Sequence, residues 1–234
     1  MNLYYFTLKK KNLILIVLLP LLFACNDDET KGLSFYTDKA IQIDGHKENQ
    51  WKKSNIFNAV SEVCGNEWDG KKDFSLSWRS LWDNEKIYFF FEVIDDKLVK
   101  NKTDMVPFWE NDMLEVFFTQ RKRLKSPSNA HFTFCFDVDS VITNVKGGPK
   151  SIKYMRKISD NGYILEIGIP WEEIGVNPST KKSIFFNIEA SDCDKIAEDE
   201  GVFYGREAVI SWSRGSCNNS VRASNTFGTL YLKD

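Results

Sequence analysis

The sequence predicts an all-β fold, a single antiparallel β-sandwich of jelly-roll or immunoglobulin-like layers with one or two short helical turns. Three observations predict it. Period-two alternation recurs along the chain, most cleanly at Phe74-Ser75-Leu76-Ser77-Trp78, the pattern of a strand with one face buried and the other wet. Compact turn signals separate such runs: Asp83-Asn84, Ser126-Pro127-Ser128-Asn129, Gly147-Gly148-Pro149, Asp160-Asn161-Gly162 and Asn177-Pro178. No stretch carries an apolar stripe of helical period beyond about two turns. The 18 Phe, 8 Tyr and 7 Trp among 234 residues exclude a disordered chain and supply the inward faces of two packed layers.

The N-terminus is read apart from the fold. Lys9, Lys10 and Lys11 precede an apolar run from Leu13 to Ala24. That run falls short of the roughly 20 residues of a membrane-spanning helix and suits a secretory signal peptide. It ends in Leu22-Phe23-Ala24-Cys25, which resembles a bacterial lipobox, although Phe23 is bulkier than usual there. Residues 1–24 are therefore expected to be removed and Cys25 to be lipidated, anchoring the protein to a membrane without spanning it. The acidic run Asn26-Asp27-Asp28-Glu29 resembles the charged segment of surface-exported lipoproteins. The expectation is an outer-membrane lipoprotein exposed at the cell surface, with a tether over 25–34 and one domain over 35–234.

Within that domain, strands are expected at Phe74–Trp78, Ile87–Val93, Met113–Thr119, Phe132–Val138, Tyr163–Ile169, Ser183–Glu189, Val209–Trp212 and Gly228–Leu232. The near-continuous run Ile87-Tyr-Phe-Phe-Phe-Glu-Val93 suits a central strand covered on both faces. A short helix is expected at Trp171–Ile174, between Pro170 and Gly175. Trp51, Trp78, Trp82 and Trp212 read as structural, whereas Trp68 in a polar loop is equally compatible with packing and binding.

Composition narrows the function. With 31 Lys+Arg against 33 Asp+Glu and no basic block, nucleic acid is excluded as the main partner. Two histidines argue against a His-rich metal centre and leave a Ser-His-Asp triad few constructions. His46 reads as a loop residue and His131 as a structural one at a strand start. Of the cysteines after Cys25, Cys135 alternates with Phe134 and Phe136 as a packed thiol. Cys193 and Cys217 lie in polar, turn-rich segments and are the expected disulfide, in a compartment that permits one. Phosphate loops, nucleophile elbows and zinc helices are missing from the sequence.

Glu110, Asp112 and Glu115 crowd one segment. It resembles the E-x-D-x-x-E strand of jelly-roll endoglycosidases, with Asn111 standing where an aliphatic residue belongs. A glycoside hydrolase would use Glu115 with Glu110 or Asp112 as its carboxylate pair. Regular alternation, however, turns Glu115 away from the other two.

The spacing of the whole chain offers a better account. Ile43-Asp44-Gly45 with Trp51, Leu81-Trp82-Asp83-Asn84 with Ile87-Tyr88, Val93-Ile94-Asp95, and Trp109-Glu-Asn-Asp112-Met-Leu-Glu115-Val-Phe117 occur in order. Gly162-Tyr163 to Trp171, Phe186-Asn187-Ile188, Ile210-Ser211-Trp212-Ser213, Asn218-Asn219-Ser220 and Phe227-Gly228-Thr229-Leu230 follow. This series resembles the family 9 carbohydrate-binding modules, of the wider DOMON-like superfamily, over nearly all of the chain. The resemblance implies non-catalytic binding of an oligosaccharide or polysaccharide, in support of glycan capture and degradation beside glycan-degrading enzymes. It makes Trp109 the first of two walls that sandwich a sugar, Glu115 the carboxylate that accepts from sugar hydroxyls, and Asn218, with Asn219 beside it, an amide in the same site. Two positions depart from the pattern. Val221 stands where the second Trp belongs, leaving Arg222, Phe203 or Tyr204 as candidate replacements, and Thr133 stands where the family has an Arg. The resemblance also implies a structural Ca²⁺, with Asp95 and Asp96 as donors, and no required cofactor. A heme-binding relative would draw on His131 and Met113.

Overall fold

The computed structural model describes residues 29–59, 61–65, 68–99, 108–120, 130–135, 142–143, 148, 151–194, 206–213 and 227–234. These residues form strands β1 (Lys31–Tyr36), β2 (Phe57–Asn58), β3 (Ser61–Gly65), β4 (Phe74–Trp82), β5 (Lys86–Asp95), β6 (Met113–Thr119) and β7 (Ala130–Cys135). Strands β8 (Ile142–Thr143), β9 (Lys153–Ser159), β10 (Gly162–Pro170), β11 (Ser183–Cys193), β12 (Arg206–Ser211) and β13 (Gly228–Lys233) follow. Two 3₁₀ turns, Asn49–Lys53 and Phe108–Glu110, are the helical elements among the described residues.

The strands pair in the order β8-β7-β6-β11-β13-β1-β4-β5-β10-β9, with β12 and then β3 added beside β11, and β2 beside β4. The path curls into two facing layers, because the side chains of β4, β5 and β10 share one apolar core with those of β6, β7, β11, β12 and β13. Rings interleave across the divide: Phe89 of β5 stacks on Phe186 of β11 with centroids 5.1 Å apart. Trp78 of β4 meets Trp212 edge-on at 5.1 Å. Such offset and edge contacts add to the burial of the rings, and they account for most of the aromatic content.

β5 is covered on both sides, as its continuous apolar run predicts. Phe89, Phe91 and Val93 enter the main core, while Tyr88 and Phe90 join Ile41, Trp51 and Leu81 in a smaller outer cluster. The outer cover is tied down by Glu166 of β10, which is fully buried. Its Oε2 accepts from the backbone amides of Asp44 (3.0 Å) and Gly45 (2.8 Å), and its Oε1 from Trp51 Nε1 (3.2 Å). The Ile43-Asp44-Gly45…Trp51 and Gly162-Tyr163…Glu166 motifs are thus two halves of one latch.

The structure differs from the sequence reading at several elements. β1 begins at Lys31, so part of the expected tether is a strand. It lies parallel to both β13 and β4, where an antiparallel neighbour was expected. Trp171–Ile174 forms successive turns rather than a helix, closed by Glu173 N to Pro170 O and Val176 N to Trp171 O, with Gly175 at φ 62°. Pro170 and Gly175 bracket too few residues for a costly helical nucleus. Strands β1, β2, β3, β8 and β9 were not foreseen, and the far end of the Phe132–Val138 strand lies outside the described residues.

Candidate functional site

β12, β11, β6 and β7 turn one face to the core and the other outward. Alternation sends Leu114, Val116 and Phe118 of β6 inward and leaves Met113, Glu115 and Phe117 on the outer face. Register assembles a polar row across four strands, Ser211–Glu189–Glu115–Thr133, with Asn187–Phe117–His131 beside it. Glu189, Asn187, Ser211 and Thr133 are buried although polar, so their hydrogen bonds must be met internally. Asn187 Nδ2 donates to Glu189 Oε1 (3.2 Å) and Ser211 Oγ (3.0 Å), and Asn187 Oδ1 accepts from Ser213 N at 3.1 Å. Glu115 Oε1 lies 2.6 Å from His131 Nε2 and 3.4 Å from the Thr133 hydroxyl. At this face Ser213 N is tied to Asn187, and the Phe227 ring sits 6.0 Å from Phe117.

Trp109 stands in the 3₁₀ turn that leads into β6. It is 45% exposed and is the single aromatic among the exposed large apolar side chains of the described residues. Its neighbours fix the turn. Glu110 Oε2 accepts from Arg206 N (3.1 Å), and the Glu110 carbonyl lies 3.2 Å from Cys193 Sγ. Asp112, fully buried, accepts from Val99 N (2.6 Å) and Cys193 N (2.8 Å). The Trp109…Asp112…Glu115 signature thus divides its labour: an exposed ring, a buried brace and a carboxylate on the polar face.

That division removes the hydrolase reading. Glu110 and Asp112 hold backbone amides, while Glu115 faces His131 and Thr133, so the three do not flank one cleft. The heme reading meets an occupied nitrogen: His131 Nε2, which an iron would take, lies 2.6 Å from Glu115 Oε1, and Met113 pairs with Cys135, four residues from the Phe117–His131 pair.

A cluster of acids lies at the end of the core. Carboxylate oxygens of Asp95, Asp112 and Asp192, all buried, fall within 4.8 Å of one another, and those of Asp73, Asp96 and Asp194 form a second such trio. Burial and then the Asp95 charge push Asp112 up to about 9. Burial and then Asp95 push Asp192 up to about 8. Burial pushes Asp95 itself up to about 6. Asp95 Oδ1 accepts from Lys97 N at 2.9 Å, but Oδ2 is buried with no hydrogen-bond partner among the described residues. An orphaned carboxylate oxygen facing two further carboxylates fits a hard divalent cation with oxygen ligands. Asp95 and Asp96, expected to share one site, fall in different trios. Their companions come from segments remote in sequence, so spacing gave no sign of them.

Of the other expected residues, Cys25, Phe203, Tyr204, Cys217, Asn218, Asn219, Val221 and Arg222 lie outside the described residues. Cys193 is buried. His131 was read as structural but touches Glu115. Asn187, Glu189 and Ser211 were not singled out as site residues, although their alternation with Phe186, Ile188 and Ile210 was visible in the sequence.

A family model described as "Carbohydrate family 9 binding domain-like" matches residues 43–234. Endo-1,4-beta-xylanase A of Thermotoga maritima is 29% identical over 200 residues, covering 81% of this chain and 17% of the xylanase. Exoglucanase XynX of Acetivibrio thermocellus is 27% identical over 188 residues, 77% of this chain and 16% of its own length. The chain thus spans less than a fifth of the length of these curated relatives. A family 9 carbohydrate-binding module of Caldicellulosiruptor kristjanssonii, solved in complex with cellotriose, superposes with a TM-score of 0.66 at 17% identity, over 87% of this chain and 93% of that one. Its complex with glucose gives a TM-score of 0.68 at 17% identity, over 87% and 95%. The family match, the curled sandwich and the motif series converge: this chain belongs to the carbohydrate family 9 binding domain-like family, as a non-catalytic carbohydrate-binding module.

Proposed function

We propose that this protein is a lipoprotein, anchored through Cys25 at the cell surface, that captures glycans by non-covalent binding and works beside glycan-degrading enzymes. The observation that carries the binding mode is the exposed Trp109 ring, braced by Glu110 and Asp112 at the head of the strand that bears Glu115. A sugar laid on that ring buries its C–H face, while carboxylates and amides on the outer sheet face take its hydroxyls. The xylanase and exoglucanase relatives support a polysaccharide ligand, and the lipobox-like Leu22–Cys25 supports the anchor. Calorimetric titration with glucose, cellotriose and xylotriose is expected to show binding, weakened at least ten-fold in Trp109→Ala. Absence of binding to a broad glycan panel rejects the reading. Metabolic labelling with a fatty-acid analogue should mark the native chain and not Cys25→Ala.

The reading includes a Ca²⁺ held by Asp95, Asp112 and Asp192. Such an ion would supply charge neutralisation to the buried carboxylates. The chain's own residues do the rest: Asp112, which accepts from the Val99 and Cys193 amides three residues after Trp109, would be one of the carboxylates that hold it.

A further inference from the structure

The family resemblance expects an Arg beside Glu115, yet register places Thr133 there. Two residues along β7, on the same face, His131 brings Nε2 to 2.6 Å from Glu115 Oε1. The Thr133 hydroxyl lies 3.1 Å from that nitrogen and 3.4 Å from that oxygen. A carboxylate can only accept, so the shared hydrogen sits on Nε2. The imidazole is itself held flat against Phe117, with ring centroids 4.4 Å apart and planes at 16°. Among the described residues no hydrogen bond reaches Glu115 Oε2. A glutamate left to itself samples many rotamers that binding must freeze; here one oxygen is already fixed.

We infer that His131 is a positioning residue for carbohydrate recognition, holding Glu115 by Oε1 so that Oε2 is presented to sugar hydroxyls. The inference rests on the carbohydrate-binding reading of this face. The Arg-to-Thr departure is thus accompanied by an imidazole donor two residues along the same strand. Recognition then depends on a flat, apolar-backed donor rather than on a long cationic chain.

The test titrates the full chain with glucose, cellotriose and xylotriose. His131→Ala is expected to weaken binding about ten-fold, and His131→Gln, whose amide nitrogen reaches the same oxygen, to restore most of it. A merely structural histidine would not be rescued in affinity by Gln. Wild-type binding that is unmoved in His131→Ala overturns this inference and leaves the carbohydrate reading intact, whereas a wild type that binds neither these sugars nor any of a broad glycan panel overturns both. If His131→Ala does not fold, imidazole nitrogen NMR decides. With only two histidines in the chain, His131 is readily assigned. Its Nε2–H proton should be protected from exchange and shifted downfield by the Glu115 carboxylate in the wild type and lose both properties in Glu115→Ala; an identical signal in both overturns the inference.

Discussion

Asp112 accepts the Val99 and Cys193 amides while burial and the Asp95 charge push its acid form up to about 9. Asp192 is likewise pushed up to about 8. Raised folded-state values mean that the native state keeps protons the unfolded chain has released. Between the ordinary carboxylate range near 4 and about 9, stability therefore falls as pH rises. In chelator, Tm is expected to drop between pH 5 and pH 9, and Asp192→Asn to flatten that drop by removing one titrating group. A cation replaces the protons and reverses the logic, so millimolar CaCl₂ should raise Tm most at pH 8–9. A calorimetric scan at pH 8 unmoved by Ca²⁺ would reject the cation site. The same residue braces the Trp109 turn, so loss of the cation should also weaken glycan binding.

Between neighbouring elements, the latch around Glu166 and the tight turn at Gly162 set the sharpest expectations. Glu166→Ala leaves the Asp44 and Gly45 amides short of an acceptor, while the Trp51 indole keeps Glu48 Oε2 at 3.0 Å. It should cost about 1–3 kcal/mol for each buried group left unsatisfied, read by urea unfolding, with faster hydrogen exchange at Gly45. Gly162 has φ 126°, and a Cβ there would stand 2.2 Å from the Val93 carbonyl oxygen. Gly162→Ala is expected to destabilise by about 3 kcal/mol or more, because strain and overlap add. Much of this scale was legible in advance. β6 runs from Met113 to Thr119 as its alternation predicts, and the apolar run of β5 is covered on both faces. β9 was not legible because Lys153 to Ser159 is an edge strand, largely exposed, with no clean apolar face to betray it. β1 was hidden by its polar flanks. Glu115 and Trp109 were found through their motif, whereas Glu189, Asn187 and the acid trio depend on pairings that no local window contains.

Across the molecule, β1 closes the curl by standing between β13 and β4, and the trio Asp95, Asp112 and Asp192 spans the two layers at the far end of the core. Deleting residues 1–28 should leave circular dichroism and Tm unchanged. Deleting through Tyr36 should unfold the domain, because it exposes unpaired edges on both neighbours and removes the Ser34–Ser80 hydroxyl bond at 2.8 Å. Cys25 precedes Lys31 by six residues, a reach of about 20 Å at full extension, so a lipid on Cys25 would hold the sandwich close against the bilayer. The central position of β1 then acquires a mechanical meaning. When a bound polysaccharide is dragged while the N-terminus is held, the load enters the sheet through its middle strand. The bonds to β13 and β4 bear it together in shear, rather than peeling open one by one from an edge.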